Sequence, residues 1–259
     1  MTLARRRGPR RAPAEQVRDR LRAAAGEPWA EEMPSGYQRM GRVLLLRLPR
    51  RYRPYYGTIG RAWQDVLGVA TVLNQFGPVD GELREPRVEP IAGTETETEV
   101  VEHGVRWAFD AARIMFAAGN RVERQRAGAL VRDGECVVDL FAGIGYFAIP
   151  AARSGRAERV LAVEKNPVAY RYLLDNVRRN GVERRVEPLL GENRTVGLPA
   201  GAADRVFLGY LPDSLPWVPR ALPLLRKDGG WVHAHSVVNA RGGPAGAEAA
   251  FLGAARLAG

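Results

Sequence analysis

Asp139 is followed, two residues on, by the glycine-bearing stretch Phe141-Ala142-Gly143-Ile144-Gly145, a carboxylate and a pliable turn suited to a nucleotide-like ligand. Cys136, Val137 and Val138 are small or β-branched, so Asp139 should end a buried strand. The glycines let the backbone bend tightly and approach a ligand, and a helix expected from Tyr146 to Ala152 turns its N–H groups to the same crevice. Two more acids take matching places. Arg159–Glu164 reads as a second strand ending in Glu164, a carboxylate able to hold both ribose hydroxyls. Residues 186–193 read as a third strand ending in Glu192-Asn193, a pair able to hydrogen-bond an adenine edge. Acids at three successive strand ends point to a cofactor site. The loop alone admits two ligands: Gly143-x-Gly145-x-x-Ala148 fits the relaxed dinucleotide fingerprint, whereas an acid before F-A-G-I-G suits S-adenosylmethionine, whose charged amino acid end Asp139 can meet.

The elements that must position these groups alternate. Asn166-Pro167 opens a helix with Ala169, Tyr172, Leu173, Asn176 and Val177 on one face, closed by Gly181. Residues 204–212 form a fourth strand whose end should border the reacting group, 213–226 a proline-interrupted helix, 229–235 a fifth strand, and 245–257 a final helix. Strands alternating with helices imply an α/β domain, Rossmann-like, over residues 112–259. Its entrance is a polar helix, Arg121 to Arg126, in which Arg124 can reach a ligand carboxylate and Glu123 is a candidate base. Residues 36–111 read as a small α+β module: strands at 41–47 and 69–73, a helix at 59–67, turns at 77–90, and an exposed strand from the alternating T-E-T-E into Val100–Glu102. Residues 1–35 read as a basic arm and a short helix from Ala14 to Ala25.

Charge bounds the partners. The 259 residues carry a formal net charge of +10, almost all of the basic residues being Arg, with Lys only at 165 and 227. That surplus favours a polyanion, and Arg suits phosphate forks. Arg50-Arg51-Tyr52-Arg53-Pro54-Tyr55-Tyr56 suits phosphate contact with base stacking, or equally a packed corner of the module. Cys136 is the only cysteine, so neither a disulfide framework nor a cysteine metal cluster is expected. No apolar run approaches a membrane span, and a cytoplasmic monomer without a metal is the expectation.

The motifs V-V-D-L-F-A-G-I-G-Y-F-A-I-P, A-V-E-K-N-P-V-A-Y, G-E-N-R and A-D-R-V-F-L-G-Y resemble the tRNA enzymes that modify the purine 3′ of the anticodon. T-E-T-E and I-M-F-A-A-G-N-R-V-E-R-Q-R carry the resemblance into the small module, over roughly residues 40 to 238. The superfamily has two branches: tRNA guanine-N1-methyltransferases, and enzymes of wybutosine synthesis that transfer the 3-amino-3-carboxypropyl group of S-adenosylmethionine to a tricyclic base. Where the methyltransferases carry Asn-Leu-Pro, this chain has Gly209-Tyr210-Leu211; where they carry Ser-Pro-Arg, it has Ala118-Gly119-Asn120. Both places are similar to the archaeal-type aminocarboxypropyltransferases. The resemblance therefore implies a class I S-adenosylmethionine-dependent transferase domain, preceded by the α+β module, that acts on tRNA and releases methylthioadenosine, methyl transfer to guanine N1 being the alternative. It implies cofactor contacts from Ala117 (replacing a serine), Arg124, Asp139, Phe141, Ala142, Gly143, Gly145, Glu164, Lys165, Asn166, Glu192 (replacing an Asp), Asn193 and Gly209. Arg51, Arg53, Arg84 and Asn120 are implied for tRNA, and Tyr210 beside the methionine arm joins Glu123 as a catalytic candidate. Without a side chain, Gly209 is expected to open space beside that arm.

Overall fold

Val17 and Leu21 lie one helical turn apart, and the helix that carries them, α1 (Pro13–Ala25), buries both. In the computed structural model, which describes residues 11–25, 28–237 and 243–256, that helix belongs to the core of a first folded unit. The expected arm lies outside the described residues except for Arg11, which pairs with Asp19 at 2.7 Å.

The first unit is a four-stranded sheet in the order β1 (Tyr37–Met40), β2 (Val43–Leu46), β3 (Thr71–Gln75), β4 (Val88–Ala92). β2 and β3 run parallel because α2 (Tyr56–Leu67) crosses between them; the outer pairs are antiparallel. β1 and β4 were not expected. Both are short and their burial patterns are mixed, so neither shows an alternation over enough residues to read. The Arg-Tyr cluster resolves towards the packed-corner reading. Tyr52 and Tyr56 are core residues and Tyr55 stacks on Trp29 at 4.3 Å, whereas the arginines remain outside. Fully buried Asn74 pins this corner, accepting from Leu48 N at 2.8 Å and donating to Tyr56 Oη at 3.0 Å.

A hairpin of β5 (Glu97–Glu102) and β6 (Val105–Asp110) turns at His103 and Gly104, both at positive φ. Among the described residues the first unit takes those up to Val100 together with Phe109–Phe116, and the second takes Val101–Ala108 and Ala117 onward. Single divisions after residues 35 and 111 therefore do not describe the chain. α1 shares the core of the module behind it, and the hairpin contributes to both units.

The second unit starts with α3 (Arg121–Leu130), then β7 (Cys136–Asp139), α4 (Ala148–Arg153), β8 (Arg159–Glu164), α5 (Pro167–Arg179), β9 (Val186–Leu190) and β10 (Arg205–Leu208). It ends with α6 (Val218–Ala221), β11 (Trp231–Ala234) and α7 (Gly243–Arg256). The sheet order is β11-β10-β7-β8-β9 and every pair is parallel. Near-continuous apolar strands fit a sheet covered on both faces. The order reverses between β7 and β10, so a crevice opens there beyond the strands' C-terminal ends. α4 starts at Ala148 rather than Tyr146: Gly145 at φ 107° cannot be helical, which postpones the first turn. The helix expected over 213–226 breaks into 3-10 turns flanking α6, because Pro216, Pro219 and Pro223 lack the N–H that a longer helix needs.

Candidate functional site

The glycine loop is fixed by the backbone before any ligand is considered. Ala142 N donates to Val163 O at 2.9 Å, and Gly145 N and Tyr146 N both donate to Ala142 O. Gly143 sits at φ 57°, and a Cβ there would meet the Tyr146 ring at 2.9 Å, so the turn needs glycine. Asn176, on the apolar face of α5, holds the loop from behind. Its Nδ2 donates to Ile144 O and Ala108 O, both at 3.1 Å, while Oδ1 accepts from Ala108 N at 2.7 Å. Four residues on, Asn180 binds both backbone groups of Arg106 in the same way. Two side-chain amides one turn apart thus stand in for a strand neighbour of β6. An Asn inside an apolar stripe is the signal from which this clamp is legible.

Two of the three acids, Asp139 and Glu164, bond to the loop, and the third, Glu192, lies past β9. Asp139 has no exposed surface; Oδ1 accepts from Phe141 N at 3.2 Å and Oδ2 has no partner. Burial pushes its carboxyl up to about 7, an effect that the Phe141 and Ala148 N–H groups oppose and Glu164 reinforces. Glu164 accepts from Gly143 N through Oε2 and from Asn166 N through Oε1, each at 2.7 Å, and burial raises its pKa as well. Asn166 in turn caps α5, its Oδ1 accepting from Val168 N at 2.9 Å. Past β9, Glu192 Oε2 pairs with Lys165 Nζ at 3.3 Å, and Asn193 Nδ2 donates to Leu140 O at 3.2 Å. Glu192 Oε1 and Asn193 Oδ1 are buried without partners. Buried oxygens are nearly always paired, and leaving one unpaired costs about 1–3 kcal/mol; Asp139 Oδ2, Glu192 Oε1 and Asn193 Oδ1 are three such acceptors at or just past the ends of β7 and β9. Their chemistry fits S-adenosylmethionine: Asp139 for the ammonium, Glu164 for the ribose diol, Glu192 and Asn193 for the adenine edge. Phe141 supplies a ring 5.2 Å from Tyr210 and 5.1 Å from Trp217. Among the described residues no group of three or more His, Cys, Asp or Glu side chains could hold a metal, and no helix is long and apolar enough to cross a membrane.

Other expected residues lie elsewhere or are committed differently. Arg124 is only 3% exposed. Its Nε and Nη2 donate to Glu102 Oε2 at 3.1 and 2.7 Å, its Nη1 donates to Ala117 O at 2.9 Å, and it lies over the rings of Trp107 and Tyr146. Glu102, outside the expected set, thus engages the guanidinium that the resemblance assigns to a ligand carboxylate. Asn120 ends a short 3-10 turn just before α3 and leaves the helix without a side-chain cap. In the first unit, Arg51 donates to Tyr52 Oη and pairs with Glu32. Arg53 lines a cavity of about 400 Å³ with Arg50, Arg87 and Phe76, while Arg84 sits at φ 59° in the turn before β4.

The space expected beside Gly209 is filled. A Cβ there would lie 2.7 Å from Phe147 Cε2, and that ring stacks on His235 at 5.0 Å and packs against Phe207. Glycine is required because an aromatic residue from the start of α4 occupies the place of the missing side chain. His235, just past β11, then reaches Glu123: its Nε2 lies 3.1 Å from Glu123 Oε1. Neither Phe147 nor His235 was expected at the site, although the H-x-H of Trp231-Val-His-Ala-His235 ends at the crevice as a strand-end residue should.

Comparison with known proteins places the chain among relatives of both of its parts. The model of the TRM5/TYW2 methyltransferase domain matches residues 98–244, and that of the TYW2 N-terminal domain matches residues 17–96. The chain is 37% identical over 224 residues to the tRNA(Phe) (4-demethylwyosine(37)-C(7)) aminocarboxypropyltransferase of Pyrococcus horikoshii, covering 86% of this chain and 79% of the relative. Among solved structures, P. horikoshii TYW2 in complex with MeSAdo superposes with a TM-score of 0.80 at 32% identity, over 92% of this chain and 85% of that one. M. jannaschii TYW2 in complex with AdoMet superposes with a TM-score of 0.68 at 31% identity, over 86% of each chain.

Proposed function

Because this chain belongs to the family of the TRM5/TYW2 methyltransferase domain, we propose that it transfers the 3-amino-3-carboxypropyl group of S-adenosylmethionine to carbon 7 of 4-demethylwyosine at position 37 of tRNA(Phe), leaving methylthioadenosine. The TYW2 N-terminal match over residues 17–96 supports this branch over methylation of guanine N1. The observation that carries the choice of transferred group is Phe147 packed against Gly209. An asparagine cannot stand there without displacing a ring held between Phe207 and His235.

The bound sulfonium supplies three electrophilic carbons, of which positioning must present one to the base. Asp139, Glu164, Glu192 and Asn193 bind and orient its two ends, and Gly143 and Gly145 let the loop backbone close on it. Tyr210 and Phe141 wall the crevice at the end of β10, and Phe147 takes the place where an amide would otherwise steer guanine. Arg124 would anchor the ligand carboxylate on leaving Glu102. Arg51, Arg53, Arg84 and Asn120 are proposed for the tRNA, with the second unit as the catalytic one.

Product analysis tests the reading. Incubation with labelled S-adenosylmethionine and tRNA(Phe) bearing the tricyclic precursor should yield methylthioadenosine and a tRNA heavier by one aminocarboxypropyl group. S-adenosylhomocysteine with a methylated guanosine would overturn it.

A further inference from the structure

We propose that the arginine-lined cavity of the first unit is a nucleotide site, in which one unpaired nucleotide of the substrate RNA lays its base against Phe76 and its flanking phosphates on Arg50 and Arg53. The inference rests on the tRNA substrate of the reading above and not on which group is transferred.

Three stretches of chain build the cavity. Arg50 and Arg53 stand on the 3-10 turn Arg50–Tyr55. Such a turn repeats every three residues, so side chains at i and i+3 eclipse and both guanidiniums fall on one side. Tyr52 goes to the core instead, and Arg51 is taken by Tyr52 Oη and Glu32. The tyrosines of this cluster are spent on packing, and the ring in the cavity comes from Phe76, just past β3. Arg87 precedes β4, and Phe76 N donates to Arg87 O at 3.0 Å, so the two face each other where the antiparallel ladder ends. The Arg87 guanidinium therefore lies 5.5 Å over the Phe76 ring. Gly77 gives it room, since a Cβ there would stand 3.2 Å from Arg87 Cδ.

Two features of this arrangement call for a nucleotide. Arg50, Arg53 and Arg87 gather around one acid, Glu89, and among the described residues none of their three guanidiniums has a hydrogen bond or an ion pair, although neighbouring Arg51 has both. Like charges brought together without partners repel one another, and a phosphate removes that cost. Phe76 is 53% exposed, a ring left in water beside cations. A duplex backbone would need only the cations. The ring adds a face on which any unstacked base can lie, and a cavity of about 400 Å³ falls in the range of small-ligand pockets.

Binding of tRNA to the full chain, followed by fluorescence anisotropy with no methyl or alkyl donor present, tests the site. Phe76→Ala should weaken binding by about 5- to 150-fold, the worth of one stacked base, at an unchanged log–log salt slope, because stacking releases no counterions. Phe76→Tyr, which keeps the ring, should bind like the wild type. Phe76→Leu keeps apolar bulk without a π-face and should bind as weakly as Phe76→Ala. Arg50→Ala should instead shallow the salt slope by about one. Wild-type affinity in Phe76→Leu would reduce the cavity to a backbone contact and overturn the nucleotide site, and so would an unchanged slope in Arg50→Ala. A separate titration with adenosine monophosphate distinguishes the source of the nucleotide. Binding of that probe, lost in Phe76→Ala while tRNA affinity stays at the wild-type value, would assign the cavity to a free nucleotide and overturn the RNA assignment. Release of S-adenosylhomocysteine in the product assay overturns the reaction assigned above and leaves this site standing, since its readout needs no donor.

Discussion

Asp139 illustrates at the residue scale how binding is bought with stability. A carboxyl held at about 7 by burial binds more protons in the folded chain than in the unfolded one across the interval from its ordinary 3.8 upward. The folded state is therefore favoured by this group below about pH 4, and the advantage is lost as pH rises through 7. Asp139→Asn removes the titration. Melting temperatures of the ligand-free variant should fall less than those of the wild type between pH 5 and 8, and the variant should be the more stable at pH 8. Its affinity for S-adenosylmethionine at pH 8 should drop by roughly 1.5–3 kcal/mol, the worth of a hydrogen bond to a charged group. In the wild type, calorimetry should show affinity weakening as pH is lowered through 7, because protonation removes the partner of the ligand's ammonium. Identical pH profiles for the two proteins would refute the assignment.

At the element scale, the end of β10 is where packing decides chemistry. Gly209 follows the strand, and the Phe147 ring pressed against it cannot retreat, being 7% exposed between Phe207 and His235. Gly209→Ala should destabilise the protein by about 1–3 kcal/mol through overpacking, read as a lower urea midpoint at unchanged slope. Phe147→Leu in the same chain should restore part of that loss, since the clash is with one ring. A neutral Gly209→Ala would mean that the ring moves freely and does not bar an asparagine. Asp139 and Glu164 were legible because each closes an apolar strand of a parallel sheet, whereas Glu192 lies two residues past the end of β9. The glycine here was legible too. Its reason was not, because the filling ring comes from the start of another element, 62 residues earlier in the chain.

For the whole molecule, a net charge of +10 and an arginine-lined cavity in the first unit bear on tRNA binding. Affinity for tRNA should fall about tenfold or more between 50 and 200 mM salt, because each phosphate neutralised releases condensed counterions. Arg53→Ala should shallow the log–log slope by about one, as the loss of one phosphate contact does. Fluorescence anisotropy across a salt series checks both, and a flat dependence would remove the polyanion argument.

Sequence alone determined the parallel α/β architecture, the acids at the strand ends, the glycine loop and the buried face of α5, whose Ala169, Tyr172, Leu173, Asn176 and Val177 are all buried. These follow from local periodicity and from the backbone demands of single residues, which a chain carries in adjacent letters. Tertiary structure alone decided the strand order, which sets β7 between β10 and β8 and so opens the crevice beside Asp139. It also gave Arg124 to Glu102, filled the side of Gly209 with Phe147, and brought His235 to Glu123 across 112 residues of sequence. Such pairings depend on which elements pack together, and no period within one element records its neighbour.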